Sequence, residues 1–274
     1  MATKLTINDD ASVEKAVNYI LDFSKRVKTL KQVIQIKDAI EISSTNILAK
    51  NTFYYLFNNL SDIEEFKERC NNCLKHFSSS HNKIVALTEK KILKKSVVMT
   101  ASYSSLITSS LIEAKKQDKN FHVAVLETRP LLEGRKTSLE LAKENVDVHY
   151  FVDYAVRVIT KKADICFLPC NHISGDGRIY TFLGGELIAE LCRKRNVQLF
   201  IVTNGWKLDV KSQFKYDDSS EKTIWEKSPK NIHVNSHTFE KINPALVSGI
   251  ISELGIFDVK EFIKQTKEAY PFLG

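Results

Sequence analysis

The chain has 274 residues and a mass of 31.3 kDa, with 43% hydrophobic and 27% charged residues, an ordinary globular composition long enough for about two domains. Nine glycines and five prolines exclude collagen-like and low-complexity chains, and no apolar run approaches the ~18 residues a membrane-spanning helix needs. Forty Lys and Arg against 33 Asp and Glu give a net charge of +7; without the aromatic interleaving of a nucleic-acid surface, neither direct nucleic-acid binding nor a membrane partner is expected.

The amino terminus, MATKLTINDDASVEKAV, lacks the apolar core of a secretory signal, so a cytoplasmic protein is the default expectation. Residues 1–95 carry 16 basic and 11 acidic side chains, and the excess is densest at Lys90, Lys91, Lys94 and Lys95. That cluster suits either phosphate or an acidic partner, or else a solvated helix face.

Residues 5–95 read as helices. Val13, Val17, Ile20, Leu21 and Val27 recur at near-helical spacing over 11–30, and the pattern repeats over 47–60 and 63–77. Asp9 or Asp10 suits the cap of the first helix and Ser61 that of the segment beginning at Asp62. The run Ser78-Ser79-Ser80-His81-Asn82 predicts a break. Cys70 and Cys73 form an isolated CxxC with no second pair at zinc-finger spacing; Cys166, Cys170 and Cys192 fall in apolar settings. Five cysteines in such a chain predict neither a disulfide framework nor a metal site.

From Ser96 the pattern changes. Apolar β-rich runs at 97–99, 122–126, 146–152, 165–168 and 199–202 alternate with amphipathic segments such as Gly185–Arg195. Strands apolar on both faces and separated by helices predict a doubly wound parallel sheet. The expected fold class is therefore α/β, a helical domain over 1–95 followed by a Rossmann-like domain over 96–274. Open sheets of this kind bind ligands at the carboxyl ends of their strands.

After the first strand come Thr100, Ala101, Ser102, Tyr103, Ser104 and Ser105, whose hydroxyls suit a helix amino end that favours an anion. The second strand ends in Glu127-Thr128-Arg129-Pro130, where Arg129 suits either bidentate phosphate recognition or an ion pair with Glu127 or another acid. Asp153 follows the third strand and Cys170-Asn171-His172 the fourth. Gly184-Gly185 opens the next helix, and Thr203-Asn204-Gly205-Trp206-Lys207 follows the fifth strand.

The ordered blocks VVMTASYS, VLETRPLLEG, VDYAV, ADICFLPCNHISGDGRIYTFLGG, NVQLFIVTNGWKLD and NPALVSGIISELGI resemble one family across residues 96–256. It comprises the alpha, beta and delta regulatory subunits of the exchange factor for translation initiation factor 2, their archaeal relatives, and methylthioribose-1-phosphate and ribose-1,5-bisphosphate isomerases. Phe214-Lys215-Tyr216 looks most like the alpha-type subunits.

The resemblance implies an isomerase cysteine at the position held here by Ser102 and an isomerase aspartate at that of Asn171. An alcohol is a poor proton carrier near neutrality, and a carboxamide is none. The substrate-holding lysine of the family's Asn-Lys-Ile-Gly-Thr segment is Phe182 here. Cys170 and His172 flank the aspartate position, although neighbours on a strand point to opposite faces.

The ligand-binding set implied is Thr100, Ser102, Arg129, Asn171, Gly184, Gly185 and Lys207, with no catalytic residue, metal or cofactor. The expected function is a non-catalytic regulatory or scaffold subunit with a pocket for a sugar phosphate or nucleoside monophosphate. The contrasting readings are an isomerase with altered catalytic groups and a metabolite-binding protein outside translation. The pocket itself is either retained or filled by Tyr180 and Phe182. The partners implied are a second copy or sister regulatory subunits, translation initiation factor 2 and a phosphorylated small molecule.

Overall fold

The computed structural model describes residues 5–7, 10–26, 29–38, 40–42, 45–211, 213–214, 221–235 and 237–274. The amino-terminal part comprises β1 (Leu5–Ile7), α1 (Asp10–Ser24), α2 (Leu30–Asp38), β2 (Ile40–Ile42), α3 (Ile47–Phe57) and α4 (Ile63–Glu89). Strands β1 and β2 pair in parallel. Val13, Ala16, Val17 and Ile20 bury one face of α1 against Leu48, Leu56 and Phe66. Cys70 and Cys73 sit in the same core, where burial pushes the Cys70 thiol up to about 12. Both are small apolar packing groups.

Three local expectations are corrected. The first helix stops at Ser24, whose hydroxyl donates to the Leu21 carbonyl at 2.6 Å; Asp9 and Val27 lie outside the described residues. The cap of α4 is Asp62 rather than Ser61: its carboxylate accepts from Glu65 N at 2.8 Å, while Ser61 N donates back to Glu65. The serine run at 78–80 does not break the chain. Helix α4 runs through it because Ser79 Oγ donates to the His76 carbonyl and Ser80 is buried, while Phe66, Cys70, Cys73 and Ile84 continue the buried stripe.

The second part comprises β3 (Val97–Ala101), α5 (Ser105–Lys116), β4 (His122–Leu126), α6 (Glu133–Lys143), β5 (Asp147–Phe151), α7 (Val156–Ile159), β6 (Ile165–Pro169), β7 (His172–Ser174), β8 (Ile179–Phe182), α8 (Gly185–Arg195), β9 (Gln198–Val202), β10 (Leu208–Asp209), α9 (Glu221–Ile224), β11 (Phe239–Ile242), β12 (Gly249–Ser252), β13 (Gly255–Phe257) and α10 (Val259–Ala269). The main sheet has the order β13-β12-β9-β6-β3-β4-β5 and is parallel except for β13, which pairs antiparallel with β12. A second sheet has the order β10-β7-β8-β11.

Consecutive strand residues enter opposite cores. Met99, Leu168 and Ile201 pack on one face, and Val98, Phe167 and Phe200 on the other. This is why the strands read as unbroken apolar runs. Full burial of each such side chain contributes about 1.5–3 kcal/mol. Ile84 of α4 and Ile92 join the second face, while Trp206, just beyond β9, enters the helical core. No helix among the described residues is long and apolar enough to cross a membrane.

The chain winds from β3 outward through β4 to β5, then crosses back to β6 and continues to β9 and β12. The switch point therefore lies between β3 and β6, which places a crevice outside their carboxyl ends.

Candidate functional site

A cavity of about 390 Å³ opens at that switch point, lined among others by Ser102, Arg129, Asn171 and Lys207. Its rim is built from backbone that most residues avoid. Ser102, Thr128 and Leu132 have φ of 64°, 59° and 58°, each a left-handed conformation costing about 1–2 kcal/mol outside glycine. Hydrogen bonds hold these turns. Ser102 N donates to Thr128 Oγ1 at 2.7 Å, and Thr137 Oγ1 donates to the Ser102 carbonyl at 2.8 Å. The Asp153 carboxylate accepts from both Thr128 N and Arg129 N at 2.8 Å.

The ion pair weighed between Arg129 and Glu127 is not formed. Glu127 pairs with Arg135 at 2.8 Å, which holds its carboxyl below the usual range, and the exposed Arg129 lines the cavity. Lys136 also lines it, with Nζ 3.5 Å from the centroid of the Tyr103 ring. Lys207 donates to the Cys170 carbonyl at 3.0 Å and pairs with Asp10 of α1 at 2.5 Å. Burial works against its charge, but Asp10, with Cys170 beside it, outweighs that and holds the ammonium above its ordinary range. Three cations thus face the cavity alongside the carboxylates of Asp10 and Glu133.

The two positions that the resemblance assigns to acid–base chemistry are tied into the protein. Ser102 Oγ donates to Glu133 Oε2, and Asn171 Oδ1 lies 3.0 Å from His172 Nδ1. Of the two flanking residues, Cys170 is among those that line the cavity and His172 is not. Cys170 is 4% exposed and packed in the sheet core, where burial pushes its thiol up. His172 stacks on Tyr180 with centroids 4.2 Å apart and lies 4.4 Å from Phe214. Burial, with Lys207 and Lys50 nearby, lowers its pKa to about 3. Tyr180 is thereby held against His172 rather than filling the cavity, and Phe182 lines the wall. Lys215 and Tyr216 lie outside the described residues.

The remaining expected ligand contacts are placed elsewhere. Thr100 is buried within β3, 1% exposed. Gly184 has φ 97° and caps α8, while a Cβ on Gly185 would meet Thr181 Cγ2 at 2.4 Å. Glycine is needed there for close packing. The amino end of α8 is not open to an anion, because the Glu240 carboxylate occupies it and accepts from Glu186 N at 2.6 Å. Burial raises the Glu240 pKa in spite of hydrogen bonds from the Gly184, Gly185 and Glu186 amides.

Sequence reasoning missed Asp10, Thr45, Asn46, Glu133 and Lys136, all of which line the cavity. The first three come from the helical part, more than fifty residues from the first strand end in sequence. Glu133 and Lys136, in the first turn of α6, were legible from the topology rule that singled out Arg129.

A helical amino-terminal part, a mostly parallel sheet and a cation-lined crevice at its switch point define the class of protein. The sequence profile described as the initiation factor 2 subunit family matches residues 7–259, and the chain belongs to that family. It is 28% identical over 223 residues to a ribose 1,5-bisphosphate isomerase of Pyrococcus furiosus, covering 77% of this chain and 69% of the relative. Its fold matches the Pyrococcus horikoshii OT3 translation initiation factor eIF-2B with a TM-score of 0.77 at 18% identity, over 92% of this chain and 91% of the other. It also matches a chain of the tetrameric eIF2B-beta2-delta2 complex from C. thermophilum with a TM-score of 0.71 at 15% identity, over 90% and 86%. The family thus spans translation-factor subunits and sugar-phosphate isomerases.

Proposed function

We propose that this chain is a non-catalytic regulatory or scaffold subunit of the initiation-factor type, nearest in pattern to the alpha subunits, with a pocket for a sugar phosphate or nucleoside monophosphate. The observation that carries the reading is a cation-lined cavity that also holds Ser102 and Asn171, the residues that the resemblance sets at the isomerase thiol and carboxylate positions. Arg129 and Lys136 suit phosphate oxygens, and Lys207 brings a third ammonium. In this reading residues 96–274 bind the ligand and dimerise. A second copy or sister regulatory subunits are the partners, translation initiation factor 2 is the client of the exchange complex, and the setting is the cytoplasm.

A thermal-shift screen against sugar mono- and bisphosphates and nucleoside monophosphates tests it, with turnover measured for every ligand that binds. A ligand at a hundred times its dissociation constant adds about 2.7 kcal/mol. Stabilisation without turnover is expected. No stabilisation by any of them would sink the pocket, and turnover would sink the non-catalytic assignment.

One observation favours an isomerase with altered groups: the Glu133 carboxylate meets Ser102 at the cavity and supplies an acid–base group that neither Ser102 nor Asn171 provides. On that alternative, Glu133→Gln abolishes a turnover that wild type displays. On our reading, even Ser102→Cys with Asn171→Asp falls far short of ordinary enzyme rates of about 1–10³ per second, because Phe182 still stands in the lysine's place.

A further inference from the structure

Strands β4 and β5 open with His122 and Asp147, which are direct partners in the parallel ladder; two residues on, Ala124 pairs with His149. Residues i and i+2 of a strand share a face, so Asp147 and His149 project together and His122 stands beside them. His122 Nδ1 lies 2.8 Å from Asp147 Oδ2, and His149 Nε2 lies 3.9 Å from Asp147 Oδ1. The imidazole centroids are 5.6 Å apart at 67°, and one donor atom from each residue falls within 4.8 Å of the others.

We propose that His122, Asp147 and His149 bind a divalent transition-metal ion of the zinc class. Two imidazoles and one carboxylate are the donor set that borderline ions such as Zn²⁺ prefer, whereas Mg²⁺ and Ca²⁺ favour all-oxygen shells. Donors of a tetrahedral zinc with bonds of about 2.0–2.2 Å stand roughly 3.4 Å apart, so small side-chain rotations close this trio around an ion. The side chains are 48%, 60% and 58% exposed, which leaves them room to rotate. An exposed cross-strand ion pair without a metal contributes little, ~0–1 kcal/mol.

The site is separate from the cavity. It lies at the amino ends of β4 and β5, and a five-residue strand spans about 16 Å before the carboxyl ends are reached. The ion ties the edge strand β5 to β4 and leaves at least one coordination position facing solvent. Asp147 and His149 stand 25 and 27 positions after His122 and meet it only through strand register, so no spacing motif marks the site in the sequence.

Calorimetric titration of the EDTA-stripped full chain with ZnCl₂ tests the proposal. One equivalent is expected to bind, with affinity weakened on the order of tenfold or more in Asp147→Asn and lost in the double variant His122→Gln/His149→Gln. MgCl₂ at the same concentration gives no saturable heat. Far-UV circular dichroism and the metal-free melting point of the variants stay at wild-type values, since all three side chains are exposed. Absence of saturable zinc binding, or binding unchanged in the double variant, overturns the site; equal binding of Mg²⁺ overturns the assigned metal class.

Discussion

The turn between β3 and α5 and the turn between β8 and α8 each end a strand, use left-handed backbone at Ser102 and Gly184 respectively, and start a helix. At the first, Glu133 accepts from the Ser102 hydroxyl; in the neighbouring turn after β4, Asp153 holds the Thr128 and Arg129 amides, and Arg129 and Lys136 line a cavity. At the second, Glu240 takes the amides of the helix end itself. Glycines and a helix amino end are therefore insufficient evidence of an anion site. What distinguishes the two is whether the protein has already supplied the anion from a distant strand, here β11.

Substitutions can break this contrast from either side. On the closed turn, Gly185→Ala drives a methyl into Thr181 and should cost about 1–3 kcal/mol, read as a lower thermal midpoint with or without ligand. On the open side, Arg129→Ala should weaken phosphate-ligand binding by about 1.5–3 kcal/mol, the range of charged hydrogen bonds. Its unliganded stability should stay within about 0.5 kcal/mol of wild type. A large loss of unliganded stability would mean that Arg129 is structural and would erase the contrast.

Glu240→Ala should cost about 1 kcal/mol through loss of the helix cap. It should also create what the wild type lacks at α8, a stabilisation by added sulfate that exceeds the wild-type response. The smallest effect is pH-dependent. Burial raises the Glu240 pKa in the folded protein, so the folded state holds that proton more tightly than the unfolded chain. Stability from this group rises as pH falls through the folded pKa toward the ordinary value of 4.5. The stability gap between wild type and Glu240→Ala should widen over that window in denaturant titrations.

The contrast also marks how far the sequence could be read. Strands β3, β4, β6 and β9 were legible because burial on both faces leaves continuous apolar runs, while β5, a half-exposed edge strand, stood out without that burial; the topology rule then led to Ser102, Arg129, Asn171 and Lys207. The short strands β7, β8, β10 and β11 were not, since two to four residues carry too little periodicity to stand out. Helix α4 was cut short because serines usually punctuate, and here their hydroxyls turn back onto the helix. Asp10 and Glu240 were invisible for a different reason: each acts on a partner 197 or 54 residues away, at Lys207 and Glu186, and only tertiary packing brings them there.

Trp206 and Lys207 are adjacent, yet the indole is built into the core of the helices and the ammonium faces the cavity, gripping α1 through Asp10. A molecule that settles beside Lys207 consequently touches both halves of the chain at once, and its hold on one depends on where the other sits. Linkage makes that dependence mutual. On the proposed reading, a partner that seizes the helices and favours one position of α1 would change the hold on the small molecule by the same factor by which the small molecule changes the grip outside, so the helical surface would broadcast occupancy of the crevice.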